Sequence, residues 1–494
     1  MNYVLGIDIG TGSVKAIAVG FDSAVIGVSQ YHYPTYSSQP GYSEQNPELI
    51  WEAFKNCIHE IVENLQASPV AVCLSSAMHS LIPVDSQGLK LTDLMTWADC
   101  RSDSIATSLR NSAQGQHIYE LSGMPVHAMS PLCKIVWLRE NMPAVFKQTF
   151  KFISIKEYIW FKLFGEYFID YSIACSTGMF DISNLKWNSN LLALAGIGND
   201  QLSKPVNTNY TFKGAAALAG ILNVETNFII GASDGCLANL GSFAIRKGVA
   251  ALTIGTSGAV RIASDRPVFN TSAMTFSYFL DDNTFICGGP VNNGGNVMEW
   301  LINSFLGKSS NKQTFDEVFA MVNQIPPGSE GLIFLPYLHG ERAPIWDAKS
   351  SGAFVGIRSQ HTQAHFCRAV VEGICFALYD VLLAVENGSK IINQINVSGG
   401  FVNSQTWMAL LANVTGRRLA LIQTEDASAI GAAYMALKAL GLNGGNYPDE
   451  PQVASQVIHP DMDEHDRYLQ NFLIFKKLYS GLKDSMHQLN NINH

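Results

Sequence analysis

The phrase Ile9-Gly10-Thr11 returns 245 residues later as Ile254-Gly255-Thr256, half-way along a chain of 494 residues. Each copy lies between two apolar runs. The first reads Val4-Leu5-Gly6-Ile7-Asp8-Ile9, then Gly10-Thr11-Gly12-Ser13, then Val14-Lys15-Ala16-Ile17-Ala18. The second reads Ala250-Ala251-Leu252-Thr253-Ile254, then Gly255-Thr256-Ser257-Gly258, then Ala259-Val260-Arg261-Ile262-Ala263. Strand, tight turn of Gly, Thr and Ser, and strand again is the pattern of a β-hairpin. Two related halves, each opening on such a hairpin, predict two lobes facing each other across a cleft. Turns of this kind present backbone N–H groups and hydroxyls together, which are donors suited to phosphate oxygens.

The copies differ where Asp8 stands in the first strand and Thr253 in the second. An acid in an apolar strand is costly unless charge or hydrogen bonding compensates it. A divalent cation would do so, since Mg²⁺ takes one or two carboxylates plus phosphate oxygens and water. An Asp capping its own turn is the plainer alternative.

Apolar residues make up 47% of the chain and charged ones 15%, the composition of a globular protein, and the length predicts two domains with three as the alternative. A net charge of −9 with no Lys/Arg run offers no footprint for nucleic acid. No apolar run approaches a membrane span, and the first residues enter a strand with no signal sequence, so a cytoplasmic protein is expected. Nine scattered cysteines without a C-x-x-C pair fit reduced thiols and give no metal-ligand spacing.

Strands run to about Tyr33, and Pro47-Glu48 opens a helical pattern carried by Leu49, Ile50, Phe54, Ile58, Ile61, Val62 and Leu65. Val70 to Ser75 is a short strand ending at Ser75-Ser76-Ala77-Met78-His79-Ser80. This order favours an α/β architecture with ligands beyond the strand ends, which places His79 at a ligand position. Leu94-Met95-Thr96-Trp97-Ala98-Asp99-Cys100-Arg101-Ser102 gathers an aromatic, an acid and a base. Such a cluster suits one face of a polyol, or it is a strand end with a local Asp–Arg pair. Residues 117–200 read as mostly helical, interrupted by the polar stretch Tyr171 to Asp181. From about Asp463, Tyr468, Phe472, Phe475 and Leu478 mark a terminal packing helix.

In the second half, Asn227 to Gly231 runs into Ala232-Ser233-Asp234-Gly235, with a small-residue helix from Cys236, so Asp234 projects from a strand-to-helix turn. Cys287-Gly288-Gly289-Pro290-Val291-Asn292-Asn293-Gly294-Gly295-Asn296 is a Gly-rich turn at a helix start, where phosphate is favoured. Ile395 to Ser404 has the same form, and Gly399-Gly400 would let a flat base approach the backbone. Gly307-Lys308-Ser309 is not a P-loop, because Ile302 replaces its first glycine; Gly10-Thr11-Gly12 is not a dinucleotide fingerprint, because Lys15 replaces its third.

With these segments in order, the chain resembles the FGGY carbohydrate kinases, part of the actin, Hsp70 and hexokinase superfamily. The resemblance runs over essentially the whole chain. It implies an α/β protein of two duplicated RNase H-like domains around a central cleft, an N-terminal domain at 1–243 for the sugar and catalytic base and a C-terminal domain at 244–494 for the nucleotide. The segments Ser75–Ser80, Thr96–Ser102 and Gly289–Gly295 look most like bacterial gluconokinases of this family, while xylulokinases share Met78-His79. The activity so implied is phosphorylation of D-gluconate to 6-phospho-D-gluconate with ATP and Mg²⁺.

Carried over by position, the resemblance makes Asp234 the general base and Asp8 the residue that holds Mg²⁺ through water. Thr11, Gly12, Lys15, Gly255 and Thr256 would line the phosphate path. Gly295 and Glu299 match nucleotide-contacting positions, although the family often carries an amide at Glu299; Gly400, Asn403 and Ser404 fall at the adenine site. Met78, His79, Trp97 and Asp234 match substrate positions, and Met129 falls where glycerol kinases carry an aromatic. A gluconate carboxylate also needs a cationic or hydrogen-bonding partner. His79, Lys15 and Arg101 are the candidates, and His79 with the Trp97-Ala98-Asp99 segment is the expected one. The partners implied are a sugar acid and ATP, with no nucleic acid or membrane; a homodimer is an assembly the resemblance admits. The alternatives are a xylulokinase or other FGGY sugar kinase, an actin/Hsp70-like ATPase, and a binding protein without turnover.

Overall fold

The computed structural model describes residues 2–282, 284–386, 391–422, 426–448 and 456–492. The first half supplies β1 (Tyr3–Ile9), β2 (Ser13–Gly20), β3 (Val25–His32), α1 (Pro47–Leu65), β4 (Ala71–Ser76), β5 (Thr211–Lys213), β6 (Asn227–Ser233) and α2 (Asp234–Gly241). The second supplies β7 (Val249–Ile254), β8 (Gly258–Ser264), β9 (Phe276–Asp281), β10 (Thr284–Val291), α3 (Gly295–Trp300), α4 (Gln363–Glu386), β11 (Gln394–Ser398), α5 (Gln405–Thr415), β12 (Arg418–Leu421), α6 (Ala427–Ala439) and β13 (Gln456–Ile458).

Among the described residues the strands of the first half form a six-stranded sheet in the order β5-β6-β4-β1-β2-β3, and those of the second a seven-stranded sheet in the order β9-β10-β8-β7-β11-β12-β13. Both repeat one plan. A hairpin (β1/β2; β7/β8) is extended antiparallel on one side by β3 or β10 and parallel on the other by β4 and β6, or by β11 and β12. The plan is repeated down to side chains. Asp8 stands opposite Ser75 on the parallel neighbour and accepts from its hydroxyl at 2.6 Å; Thr253 stands opposite Ser398, their hydroxyls 2.9 Å apart.

Helix α1 follows its sequence signals: Asn46 Oδ1 accepts from Glu48 N–H at 3.1 Å, Pro47 occupies the first turn, and Ile50, Phe54, Ile58 and Ile61 are buried. The buried faces of β1, β4 and β6 are closed by α2 and by α6, which returns from the far end of the chain. Glycine permits this return, because a Cβ on Gly6 would lie 1.9 Å from Ala429 O, and one on Gly241 would lie 1.9 Å from Ala427 O.

Two local expectations are corrected. The stretch Tyr171 to Asp181 is not a plain interruption, since Tyr171–Cys175 is helical, with Asp170 capping it through Ile173 N–H at 3.0 Å. Its polar residues face inward, as Ser172 shows by donating to Ser233 Oγ at 2.9 Å. The helix after β6 begins at Asp234, two residues before Cys236, so Asp234 is part of its first turn. The terminal helix spans Met462–Ile492, with Tyr468, Phe472 and Phe475 buried as expected. Among the described residues no helix is long and apolar enough to cross a membrane.

Candidate active site

The ends of β1, β4 and β6 lie side by side, since Asp8 pairs with Ser75 and Ser233 with Ser76. This brings the first hairpin, the Met78-His79 loop and the start of α2 to one edge of the sheet. The first hairpin turn closes through Gly10 N–H to Ser13 O at 3.0 Å, not through Asp8, so the turn-cap alternative for Asp8 fails. Burial, with Asp426 and Asp234 nearby, pushes Asp8 up to about 8, against the opposing effects of the Ser75 hydrogen bond and Lys15. Lys15 Nζ lies 3.6 Å from Asp426 Oδ2. Asp426 also caps α6, its Oδ1 accepting from Ser428 and Ala429 N–H at 3.0 Å each.

A half-buried acid with two further carboxylates acting on it is short of positive charge. A divalent cation held by one carboxylate, phosphate oxygens and water fits that need. Among the described residues no three His, Cys, Asp or Glu side chains converge to hold a metal.

Asp234 occupies the first position of α2. Its Oδ1 accepts from Gly235 N–H at 2.6 Å, and its carbonyl accepts from Ser428 Oγ at 3.2 Å. Burial raises its carboxyl, while the Arg261 guanidinium, the Gly235 N–H and Lys156 act to lower it. Lys156, itself buried, donates to Ala232 O and Asp170 Oδ2 at 2.8 Å each and so fixes the strand end before Asp234.

In the second lobe, Gly255, Thr256, Gly295, Glu299, Gly400, Asn403 and Ser404 line one cleft of about 1050 Å³. A Cβ on Gly295 would lie 2.7 Å from Gly255 O, so the two glycine turns are in close contact. The paired glycines at β11 divide their tasks. Gly399, at φ +107, lies against β7, where a Cβ would meet Ile254 O at 2.1 Å, whereas around Gly400 a Cβ would find open space. Ser404 Oγ accepts from Trp407 N–H at 3.2 Å and starts α5. Lys312, Phe315, Asp316, Asn323, Gln405 and Thr406 complete the cleft, and none of them stands out in sequence.

On the other side, Met78 and Trp97 lie near the centre. A Cβ on Gly235 would be 3.3 Å from Met78 Cε, and Trp97 Nε1 donates to Thr11 Oγ1 at 2.9 Å. The two loops that carry His79 and Trp97 are joined by buried Lys134, whose Nζ donates to His79 O at 2.7 Å and Thr96 O at 2.6 Å. Burial pulls that ammonium down to about 7. Met129 is a core residue, packed in the same cluster as Met124.

The expectation that His79 is the cationic or hydrogen-bonding partner of a carboxylate is corrected. Burial drives His79 down to about 3, so its ring is neutral at pH 7, and Nδ1 lies 2.9 Å from Ser176 O. Nδ1–H therefore donates to that carbonyl, and Nε2 is left as an acceptor. Arg101 is committed as well, bound to Asp99 through Nε and Nη2 at 2.8 and 2.7 Å and to Glu44 at 2.7 Å, with its guanidinium 3.6 Å from the Tyr42 ring centre. The Asp–Arg pair is thus local structure, and Trp97 remains 37% exposed beside it.

Residues 3–241 match the N-terminal domain, and 250–440 the C-terminal domain, of the FGGY family of carbohydrate kinases. The chain belongs to that family. It is a carbohydrate kinase, built on the duplicated actin-like fold, and sugar kinases of this family use ATP and typically a divalent metal. The actin/Hsp70-like ATPase reading is thereby set aside. A gluconokinase of Bacillus subtilis (strain 168) is 38% identical over 451 residues, 89% of this chain and 88% of its own. The crystal structure of a gluconate kinase from Lactobacillus acidophilus superposes with a TM-score of 0.93 at 33% identity, covering 99% of both chains. A ligand-bound xylulose kinase from the same organism gives 0.93 and 33% as well, covering 99% of this chain and 100% of its own.

Proposed function

We propose that this kinase transfers the γ-phosphoryl group of ATP to the terminal hydroxyl of D-gluconate, giving 6-phospho-D-gluconate. The observation that carries the reading is the position of Asp234, a half-buried carboxylate at a helix start beside both the Met78–His79 loop and the Asp8–Lys15 hairpin. Phosphoryl transfer needs positioning and charge stabilisation more than covalent help from the protein. Asp234 takes the proton of the attacking hydroxyl as its oxygen bonds to the γ-phosphorus and the bond to the ADP oxygen breaks. Thr11, Gly12 and Lys15 from one hairpin and Gly255 and Thr256 from the other line the phosphate path. Gly295, Glu299, Gly400, Asn403 and Ser404 receive the nucleoside.

Asp8 would hold Mg²⁺ through water, and the bound ion would offset charge on the phosphate oxygens. The division of labour places sugar and base in residues 1–243 and the nucleotide in 244–494. Closure of the lobes would exclude water from the phosphoryl group. All nine cysteines are free and eight are buried, which suits a cytoplasmic setting.

A ketopentose such as D-xylulose is the second reading, favoured by the equal likeness to the xylulose kinase structure. A coupled ADP-release assay with Mg-ATP against D-gluconate, D-xylulose, L-ribulose and glycerol separates the two. D-Gluconate is expected to give the highest kcat/KM; a higher value for D-xylulose would overturn the substrate assignment and leave the kinase chemistry intact.

A further inference from the structure

A sugar acid brings a carboxylate, and the cations first expected to meet it are spent. His79 is neutral, Arg101 is held by Asp99 and Glu44, and Lys15 lies beside Asp426. Two arginines of the second lobe are in a different state. Arg261 and Arg342 each carry a buried Nε with no hydrogen-bond partner among the described residues. An unsatisfied buried donor is expensive, and more so on a charged group. Arg417 Nε is likewise unpartnered, but Arg417 Nη2 donates to Glu386 at 3.2 Å, whereas for Arg261 and Arg342 a ligand in the cleft would supply the missing acceptor.

Both are aimed at the catalytic centre. Arg261 is an isolated charge in the apolar strand β8, and its Nε lies 3.3 Å from the point a Cβ on Gly235 would occupy, as does Met78 Cε. Arg342 has its guanidinium carbon 5.7 Å from the Trp97 ring centre, and its Nη2 donates to Val291 O at 3.1 Å. Its neighbour Glu341 is occupied elsewhere, accepting from Asn292 N–H at 2.5 Å, Arg342 N–H at 2.8 Å and Asn293 Nδ2 at 2.9 Å. The two guanidiniums also act on one another: burial and Arg261 together bring Arg342 down to about 10, with Glu341 opposing. Each guanidinium already has one carboxylate acting on it, Asp234 on Arg261 and Glu341 on Arg342, and what neither carboxylate supplies is an acceptor for the two unpartnered Nε–H groups.

We infer that Arg261 and Arg342 recognise the carboxylate of an acyclic polyhydroxy acid whose far hydroxyl reaches Asp234. The inference rests on the reading of this cleft as a sugar-acid kinase site. Guanidinium is the group suited to it, because its planar fork pairs with a carboxylate through two N–H bonds. A neutral sugar would leave both donors unpaired, so the pair also discriminates against neutral polyols.

The test compares D-gluconate with D-glucitol, which carries CH₂OH in place of the carboxylate, for the wild type, Arg261→Gln, Arg342→Gln and Arg261→Lys. Calorimetric binding of D-gluconate is measured beside steady-state kinetics, and ADP binding checks that each variant is folded. In both Gln variants the loss of affinity for D-gluconate is expected to exceed the loss for D-glucitol by at least ~10-fold, the equivalent of one charge-assisted pair. The rise is expected in KM more than in kcat, with partial recovery in Arg261→Lys. Equal losses on both sugars, or none, would overturn the inference. If the wild type binds D-gluconate without phosphorylating it and both Gln variants abolish that binding, the arginine site stands and the gluconokinase reading falls. If the wild type binds no D-gluconate, the arginine site falls, whatever other sugar the enzyme phosphorylates.

Discussion

Trp97 Nε1 donates to Thr11 Oγ1 at 2.9 Å, which ties the loop beside the sugar site to the hairpin of the phosphate path. Thr11 is held from its other side too, its carbonyl accepting from Gln45 Nε2. Trp97→Phe keeps an aromatic face but removes the donor, a loss of about 1 kcal/mol for one neutral hydrogen bond. The expected result is a joint rise of roughly fivefold in KM for ATP and for the sugar, read from an initial-rate matrix. A rise confined to the sugar would show that Trp97 does not act through Thr11.

Arg101 separates structure from binding. Its side chain is 3% exposed and that of Asp99 is fully buried, so removing the guanidinium strands a buried carboxylate. Arg101→Met is expected to lower stability by about 3–5 kcal/mol, measured by urea unfolding. KM for D-gluconate in the folded fraction should stay within about twofold, since a twofold change is well under 1 kcal/mol. A large KM effect with unchanged stability would return Arg101 to the substrate site.

The buried state of His79 predicts a pH dependence. The folded protein keeps the ring neutral down to about pH 3, whereas the unfolded chain protonates it near 6.5. As pH falls below about 6.5 the unfolded state gains the proton first, and stability drains away; above 6.5 the contribution is fully present. His79 has φ +64, which Asn tolerates, so His79→Asn is the variant of choice. Between pH 7 and pH 5 the wild type is expected to lose about 2 kcal/mol more than the variant. Parallel stability curves would show that the ring titrates normally in the fold.

The two hairpins, the α/β class and the glycine turns were legible because they are local. Glycine positions, apolar runs and helix starts encode them within a few residues. Residues whose role depends on distant packing were not. Asp426 and Ser428 reach Lys15 and Asp234 only because α6 returns to the first sheet over Gly6, a contact spanning more than 400 residues. Lys134 reads as one charge on a helix, and its function lies in two carbonyls, of His79 and Thr96, on separate loops. Arg261 reads as a polar residue of an ordinary strand until the lobes set it against Gly235. His79 was expected to meet a carboxylate, and burial with the Nδ1–H bond to Ser176 O leaves its ring neutral with only an acceptor free, because spacing does not record burial and burial decides protonation.

The most direct test of the central claim is turnover of D-gluconate with Mg-ATP by the wild type and by Asp234→Asn, with binding of both substrates measured in parallel. Asn keeps the size of the side chain and cannot take the hydroxyl proton. The account predicts D-gluconate-dependent ADP release in the wild type and a kcat at least ~100-fold lower in the variant, with D-gluconate and ATP still bound. A variant that retains wild-type kcat would contradict the assignment of Asp234 as the base.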